Sequence, residues 1–371
     1  ESSAASDVYK RQAPYLIASY YDSSLVDGMA GAVNTPPNKD IRWEKTTTVN
    51  VGVDFALFRH RLSGTIEYYN KYSVDLLAAI NGSPTQGFGY TTLMTNNGKM
   101  VNRGVEITLS GEIIRQKDFS WNASLLYAFN RNKVKHISVQ PSLWDSRISM
   151  PTSYPMVGKP LYGIYAYKWA GLNENGDPQV YDAENNVTSG PARDYHALVY
   201  CGTTVPIHNA SLTNVLRYKG FEFSAMLILD AGHKLRSSNI PSINMSNGRI
   251  TSTAKGIVDR WTQPGDVTDV PRLLFSNDTE NFNTHRTELY RYSDLFVYDA
   301  SNIRLSNISL AYRVPAHWCK KISLSGARLQ FNVENVATFA FDSKANYDLG
   351  GKVKPNYVWG LYSVSYTHLT L

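Results

Sequence analysis

Short and long connections alternate strictly along this chain, and that regularity limits its possible folds more than any single motif does. The connections join stretches in which apolar and polar residues alternate with period 2, the pattern of a strand with two unlike faces. Val49, Val51, Val53, Phe55 and Leu57 share one face, and Asn50, Gly52 and Asp54 the other. Leu62, Ile66 and Tyr68 alternate with Arg61, Ser63, Thr65 and Glu67. Val101, Val105, Ile107 and Leu109 oppose Asn102, Glu106, Thr108 and Ser110, and Arg103 breaks the apolar row at its start. The same alternation runs through Trp121–Phe129, Phe221–Leu229 and Leu329–Val333. Between Leu305 and Ile308 the phase flips, which predicts a bulge.

The first pair of strands turns tightly at Arg59-His60, and a long polar stretch, Lys71 to Met100, follows. The next turn lies near Arg115 to Asp118, and the stretch after it runs from Arg131 to about Pro206. A turn at Tyr218-Lys219-Gly220 precedes the stretch from Ala231 to about Ser301. The last turn, Pro315 to Lys321, precedes a loop from Ala337 to Asn356. In an antiparallel meander of about nine strands, every long connection then falls on one rim, which is the plan of an outer-membrane barrel. A soluble β-sandwich or propeller with insertions is the rival, and its long loops would fall at either end. The sequence contains no run of about 18 apolar residues, so spanning helices are excluded, while a spanning strand needs only about 10. The expected fold is therefore all-β, a transmembrane antiparallel β-barrel. Aromatic residues make up 12% of the chain, with 25 Tyr and 7 Trp, and suit a membrane interface as well as strands in general.

The ends read differently. Asp7 to Gln12 match one frame of a transposon mosaic end used in sequencing libraries, and Val364 to Leu369 match its reverse complement. Residues 1–12 and 364–371 are accordingly expected to be adapter-derived, and 13–363 to be a partial barrel without a plug domain.

Chemistry-bearing clusters are sparse. Cys201 and Cys319 imply neither a zinc site nor a disulfide framework. The net charge of +6 is scattered, with no nucleic-acid signature. His60, His208 and His233 are expected to be solvated rather than ligands. Gly87-Phe88-Gly89 does not open a helix after a strand. Asn173 to Asp177 reads as a turn rather than a calcium loop, and Asp294 with Asp299 as loop carboxylates rather than a glycosidase pair. No catalytic residue, metal or cofactor is expected, and the chain is not read as an enzyme. Ligand contacts should come from aromatic residues of the long connections, which stack on sugar rings. The candidates are Trp144, Tyr154, Trp169, Tyr195, Tyr290 and Tyr298.

Several stretches also carry a resemblance. Ile41 to Phe55 and Arg61 to Lys71 resemble strand openings of SusC-like (RagA/SusC-type) TonB-dependent outer-membrane receptors. Asn97 to Glu106 is similar to that family's N-x-G-x-M-x-N-x-G-V-E strand. Lys117 to Trp121, Asn130 to Val134, Arg260 to Thr268, Ile303 to Tyr312 and Leu329 to Asn335 follow in the family's order. The resemblance implies the C-terminal portion of a plugged barrel of about 22 strands in the outer membrane of a Bacteroidota-like bacterium. It implies uptake of oligosaccharides or peptides with a SusD-like surface lipoprotein. It also implies coupling to TonB through a missing N-terminal region, and contact with outer-membrane lipid and lipopolysaccharide. A siderophore or vitamin receptor shares the same barrel physics and stays open at this point, as does a secreted all-β enzyme or adhesin.

Overall fold

The computed structural model describes residues 17–22, 28–35, 38, 40–81, 92–139, 146–190, 195–245, 254–275, 286–321, 323–345, 348–349 and 356–363. The two presumed adapter segments lie outside these residues. Nine strands form one antiparallel sheet in chain order. They are β1 (Lys45–Leu57), β2 (Leu62–Asn81), β3 (Thr92–Arg115), β4 (Phe119–His136) and β5 (His208–Tyr218), then β6 (Phe221–Ala231), β7 (Asn302–Arg313), β8 (Ala327–Ala340) and β9 (Asn356–Ser363). A separate hairpin pairs Ile17–Asp22 with Met29–Thr35. Among the described residues the longest helices have six residues, and none is long and apolar enough to cross a membrane.

The register places the apolar rows side by side on one face. Val53 pairs with Ile66, Ile66 with Ile107 and Ile107 with Tyr127. Farther along, Leu216 pairs with Phe223, Phe223 with Leu310 and Leu310 with Phe331. This face is bare: Val51 and Val53 are each 61% exposed, and Leu310 and Phe331 are also open. Leaving one such side chain in water forfeits about 1.5–3 kcal/mol of burial, so a contiguous bare band calls for an apolar solvent. Phe55 leans over Gly64, directly opposite, where an added Cβ would lie 2.9 Å from the ring. On this face the amide of Asn214 accepts a hydrogen bond of 3.1 Å from the Trp121 indole.

The opposite face is a ladder of polar pairs. Thr65 donates to Asp54 at 2.6 Å, Asn209 to Asp230 at 2.6 Å, and Gln330 to Ser309 and Asn332. Near the short turns, Glu222 lies between Arg217 at 2.8 Å and Arg328 at 3.0 Å. This face suits a wet or filled lumen. Among the described residues β1 and β9 have free edges, and a sheet spanning lipid must close, so the nine strands are an arc of a cylinder.

The connections 58–61, 116–118, 219–220 and 314–326 lie at one rim; the last has 13 residues against 10 for 82–91, so the expected strict alternation of lengths does not hold at that point. The strand ends that border the remaining connections, Asn81 and Thr92, His136 and His208, Ala231 and Asn302, and Ala340 and Asn356, lie at the other. The predicted bulge is present: register slips between Leu305 and Asn307 against β8, and between Met226 and Leu227 against β7. The first turn is unusual in holding Phe58, Arg59 and His60 in succession at φ of 54°, 56° and 65°.

One boundary differs from the sequence reading. β2 and β3 continue well past the expected strand ends, so most of Lys71 to Met100 is strand rather than loop. A register shift at Ser73–Leu76, with Asp75 at φ 57°, separates the regular lower part from this extension. Beyond the lipid both faces are wet, so the hydrophobic alternation that marks the lower strand is absent there.

Candidate functional site

The connections 137–207 and 232–301 fold together into a cap at the long-loop rim. Gly163–Tyr167 pairs with Leu198–Thr203, and Trp169–Leu172 with Pro178–Tyr181, within the first connection. Lys234–Arg236 pairs with Val297–Asp299 within the second. The strand Gly163–Tyr167 is buried throughout, and its Tyr165 and Tyr167 pack with Val180, Leu198 and Leu289. Leu289 comes from the second connection, so the core is shared between the two.

Arginines stitch the halves together. Asp177 receives Arg272 at 2.9 and 3.2 Å and Arg286 at 3.0 Å. Arg286 is 1% exposed and also donates to Asn244 Oδ1 and to the carbonyls of Ile243 and Arg272. Arg236 donates to the Tyr165 carbonyl at 2.6 Å and to the carbonyls of Arg291 and Ser293. Arg286 is buried and Arg236 and Arg272 are half-buried, each hydrogen-bonded to carboxylate, amide or carbonyl oxygens, the condition under which a guanidinium is tolerated away from water.

The Arg260–Thr268 motif acquires a role here. Asp266 accepts from the backbone N–H groups of Thr262 and Gln263 and from the Thr262 hydroxyl. Those bonds hold its carboxyl below the usual range. The turn so fixed lays Trp261 against Gly176, where φ is +74° and an added Cβ would collide with the indole. The Asn173–Asp177 turn is confirmed: Asn173 Oδ1 accepts from the backbone of Asn175 and Asp177. Asp177 itself is engaged by arginines.

The structure gathers three of the six aromatic candidates. Trp169 donates to Asp269 at 2.9 Å, and its ring lies 5.8 Å from that of Tyr290. Tyr290 meets Phe296 edge-on at 4.9 Å and is 1% exposed; burial pushes its hydroxyl pKa up, with Asp269 and Tyr298 adding to the push. Tyr298 is half-buried beneath Lys344 of the last long connection. Tyr154 is buried elsewhere in the cap, at 8% exposure. Trp144 and the side chain of Tyr195 lie outside the described residues. Sequence reading met Asp177 only as the last residue of a turn and had no signal for Arg236, Arg272 or Arg286, which are ordinary charged residues in polar stretches.

The remaining polar groups are occupied structurally. Asp294 accepts from the Trp169 N–H. Partial burial would raise the Asp299 carboxyl, yet its bonds from Ser301 and Lys234 hold it down to about 2. Burial, with Asp294 nearby, pushes the Cys201 thiol up to about 11, so it is not poised as a nucleophile. His60 is exposed as expected. His208 is packed on Phe129 and bonded to the Tyr127 hydroxyl at 2.8 Å. His233 corrects the expectation of a solvated ring: it is 9% exposed, and burial lowers its pKa.

Two hollows adjoin the cap. One, of about 380 Å³, lies between the upper ends of β2–β4 and the segment 152–161, lined by Leu76, Met94, Met100, Val134 and Leu161 with Lys99 at its margin. The other, of about 270 Å³, lies on the lumen wall among Glu106, Thr108, Asn209, Ser211 and Asp230. The arrangement offers aromatic and hydrogen-bonding surface for capture, and among the described residues no nucleophile and base are assembled.

Residues 4–336 match the family model described as TonB dependent receptor-like, beta-barrel. TonB-dependent receptor P3 of Formosa agariphila is 25% identical over 354 residues, covering 90% of this chain and 34% of the relative. TonB-dependent receptor SusC of Bacteroides thetaiotaomicron is 25% identical over 312 residues, covering 80% and 29%. Among solved structures, the RagAB peptide transporter superposes with a TM-score of 0.71 at 22% identity, over 94% of this chain and 38% of that one. The chain spans about a third of the length of the curated relatives it matches.

Proposed function

The chain belongs to the TonB-dependent receptor-like β-barrel family of the outer membrane, and from that premise we propose that it forms the wall and outer cap of an active importer of large nutrients. The family is one of receptors and transporters rather than enzymes. The cargo in this reading is an oligosaccharide or a peptide. The work is binding and gating with no bond broken. A SusD-like lipoprotein covers the cap from outside, and TonB supplies the energy.

One observation carries the reading: both large connections fold into a single cap on one rim, above a wall whose inner face is polar. A relative named SusC and a fold shared with a peptide transporter lend it support. Trp169 and Tyr298, which keep accessible surface, are proposed to touch cargo; Tyr154 and Tyr290 would shape the cap beneath them. Trp144 and Tyr195 remain proposed contacts on sequence grounds.

The test is uptake in the source bacterium with the complete gene deleted. An oligosaccharide pool, a peptide digest and a ferric siderophore are offered in turn. Loss of oligosaccharide or peptide uptake, reproduced by removing TonB, is the expected result. Loss confined to the siderophore would favour a metal-chelate receptor, and unchanged uptake of all three would end the proposal.

A further inference from the structure

Where the outward rows of β3 and β4 rise above the apolar band, they become cationic. Arg103 stands directly opposite Arg131 in the register, one row above the pair Val105 and Phe129. Lys133 occupies the next outward position of β4, opposite Val101. All three side chains are exposed. Like charges placed directly across a strand pair are destabilising, so this arrangement needs a reason.

No carboxylate among the described residues neutralises it. Among the described residues, none of the ion pairs involves Arg103, Arg131 or Lys133. The nearest bonded partner of Arg103 is a neutral amide, Asn70 Oδ1 at 3.1 Å. The cluster is local: farther round the same rim, the outward positions Ile303 and Phe339 are apolar, the latter 60% exposed. Below it lie Tyr68 and the aliphatic rows of the band, and beside it Tyr72 is 41% exposed.

We propose that Arg103, Arg131 and Lys133 form a docking site for the phosphorylated headgroup of lipopolysaccharide in the outer leaflet. The long-loop rim faces outward in a barrel of this plan, so the cluster stands at headgroup height. Two guanidiniums and an ammonium match a phosphate by charge and by forked hydrogen bonding. The acyl chains then lie along the Val, Ile and Tyr rows beneath. The lipid anion converts an Arg–Arg repulsion into a bridged pair. This site depends on the outer-membrane barrel reading but on no particular cargo, and its test reads lipid rather than uptake.

The experiment uses the full-length receptor extracted from its own outer membrane. Co-purifying lipid is quantified by mass spectrometry for wild type, Arg103→Gln/Arg131→Gln, Arg131→Lys, and a control, Lys219→Gln, at the opposite rim. Wild type and the control are expected to retain lipopolysaccharide, and the double variant to lose about tenfold, the scale of one charged hydrogen bond. Arg131→Lys should keep most of it. A second readout protects against a double variant that fails to assemble: thermal unfolding of Arg131→Gln in neutral detergent with and without added lipopolysaccharide. Relief of repulsion should leave the lipid-free variant at least as stable as wild type, while added lipid raises the unfolding temperature of wild type alone. Equal retention in the double variant and wild type, retention of ordinary phospholipid in place of lipopolysaccharide, or equal stabilisation of Arg131→Gln and wild type by added lipid would each overturn the site.

Discussion

In the wall, an ion pair joins neighbours along the chain: Arg217 meets Glu222 across a two-residue turn. In the cap, Asp177 meets Arg286 from a position 109 residues away. The wall is held by a repeated local rule, with apolar side chains outward and mostly polar ones inward, Leu126, Met226 and Ile228 being inward exceptions. Strand pairing supplies its backbone hydrogen bonds whatever the details of each side chain. The cap has no such repeat. Its unity rests on a few guanidiniums, one aromatic–glycine contact and a small core of tyrosines. Damage to the wall should therefore depend on which face is struck, and damage to the cap on which individual residue is lost.

The sharpest break should come from Arg286→Ala. Removing one partner of a buried, hydrogen-bonded charge pair costs about 3–5 kcal/mol. Limited proteolysis should then cut within 254–275, while the wall keeps its heat-modifiable gel mobility. Loss of that mobility would show that the two regions are not separable. Next is Val53→Arg, which puts a charge in the outward band and should cost about 2–4 kcal/mol near the bilayer midplane. Asp54→Asn, one residue along on the inner face, should leave unfolding in lipid nearly unchanged. Equal effects would refute the assignment of faces.

Smaller effects probe the cap further. Gly176→Ala forces a left-handed backbone onto a residue with a Cβ, at about 1–2 kcal/mol before the clash with Trp261 is counted. Faster amide exchange in 254–275 than in β5 is the expected signature. The smallest effect is the pH response of Asp299, which burial would raise but which bonds from Ser301 and Lys234 hold at about 2, below its ordinary 3.8. Its stabilising contribution is complete above about pH 4 and is lost as pH falls toward 2. Both partners are more than a third exposed, so the effect stays under about 1 kcal/mol. Amide exchange at Lys234–Arg236 should quicken over that window.

The same contrast explains what the sequence revealed. Val49 to Leu57 announced its faces because lipid on one side and water on the other impose period 2. The bulge at Leu305–Ile308 was legible for the same reason, as a break in that period. Leu76 to Asn81 and Thr92 to Met100 were read as loop because those strands have left the bilayer, where neither face must be apolar. In the cap, residue type could suggest Trp169, Tyr290 and Tyr298 but not how deeply each is packed. Burial of Tyr290 depends on Phe296 and Trp169, and the latter lies in another connection. The Arg260–Thr268 motif was recognisable as a string, yet its role needed Gly176 beside it.

The Asp177 clasp also bears on descent and on engineering. A receptor that gains a new cargo by exchanging one large loop for a foreign one would leave either a carboxylate without its guanidiniums or two guanidiniums without their carboxylate. The heritable module in this barrel is thus the couple, donor loop and acceptor loop together. Libraries that shuffle connection 137–207 should carry 232–301 with it if their members are to reach the cell surface intact.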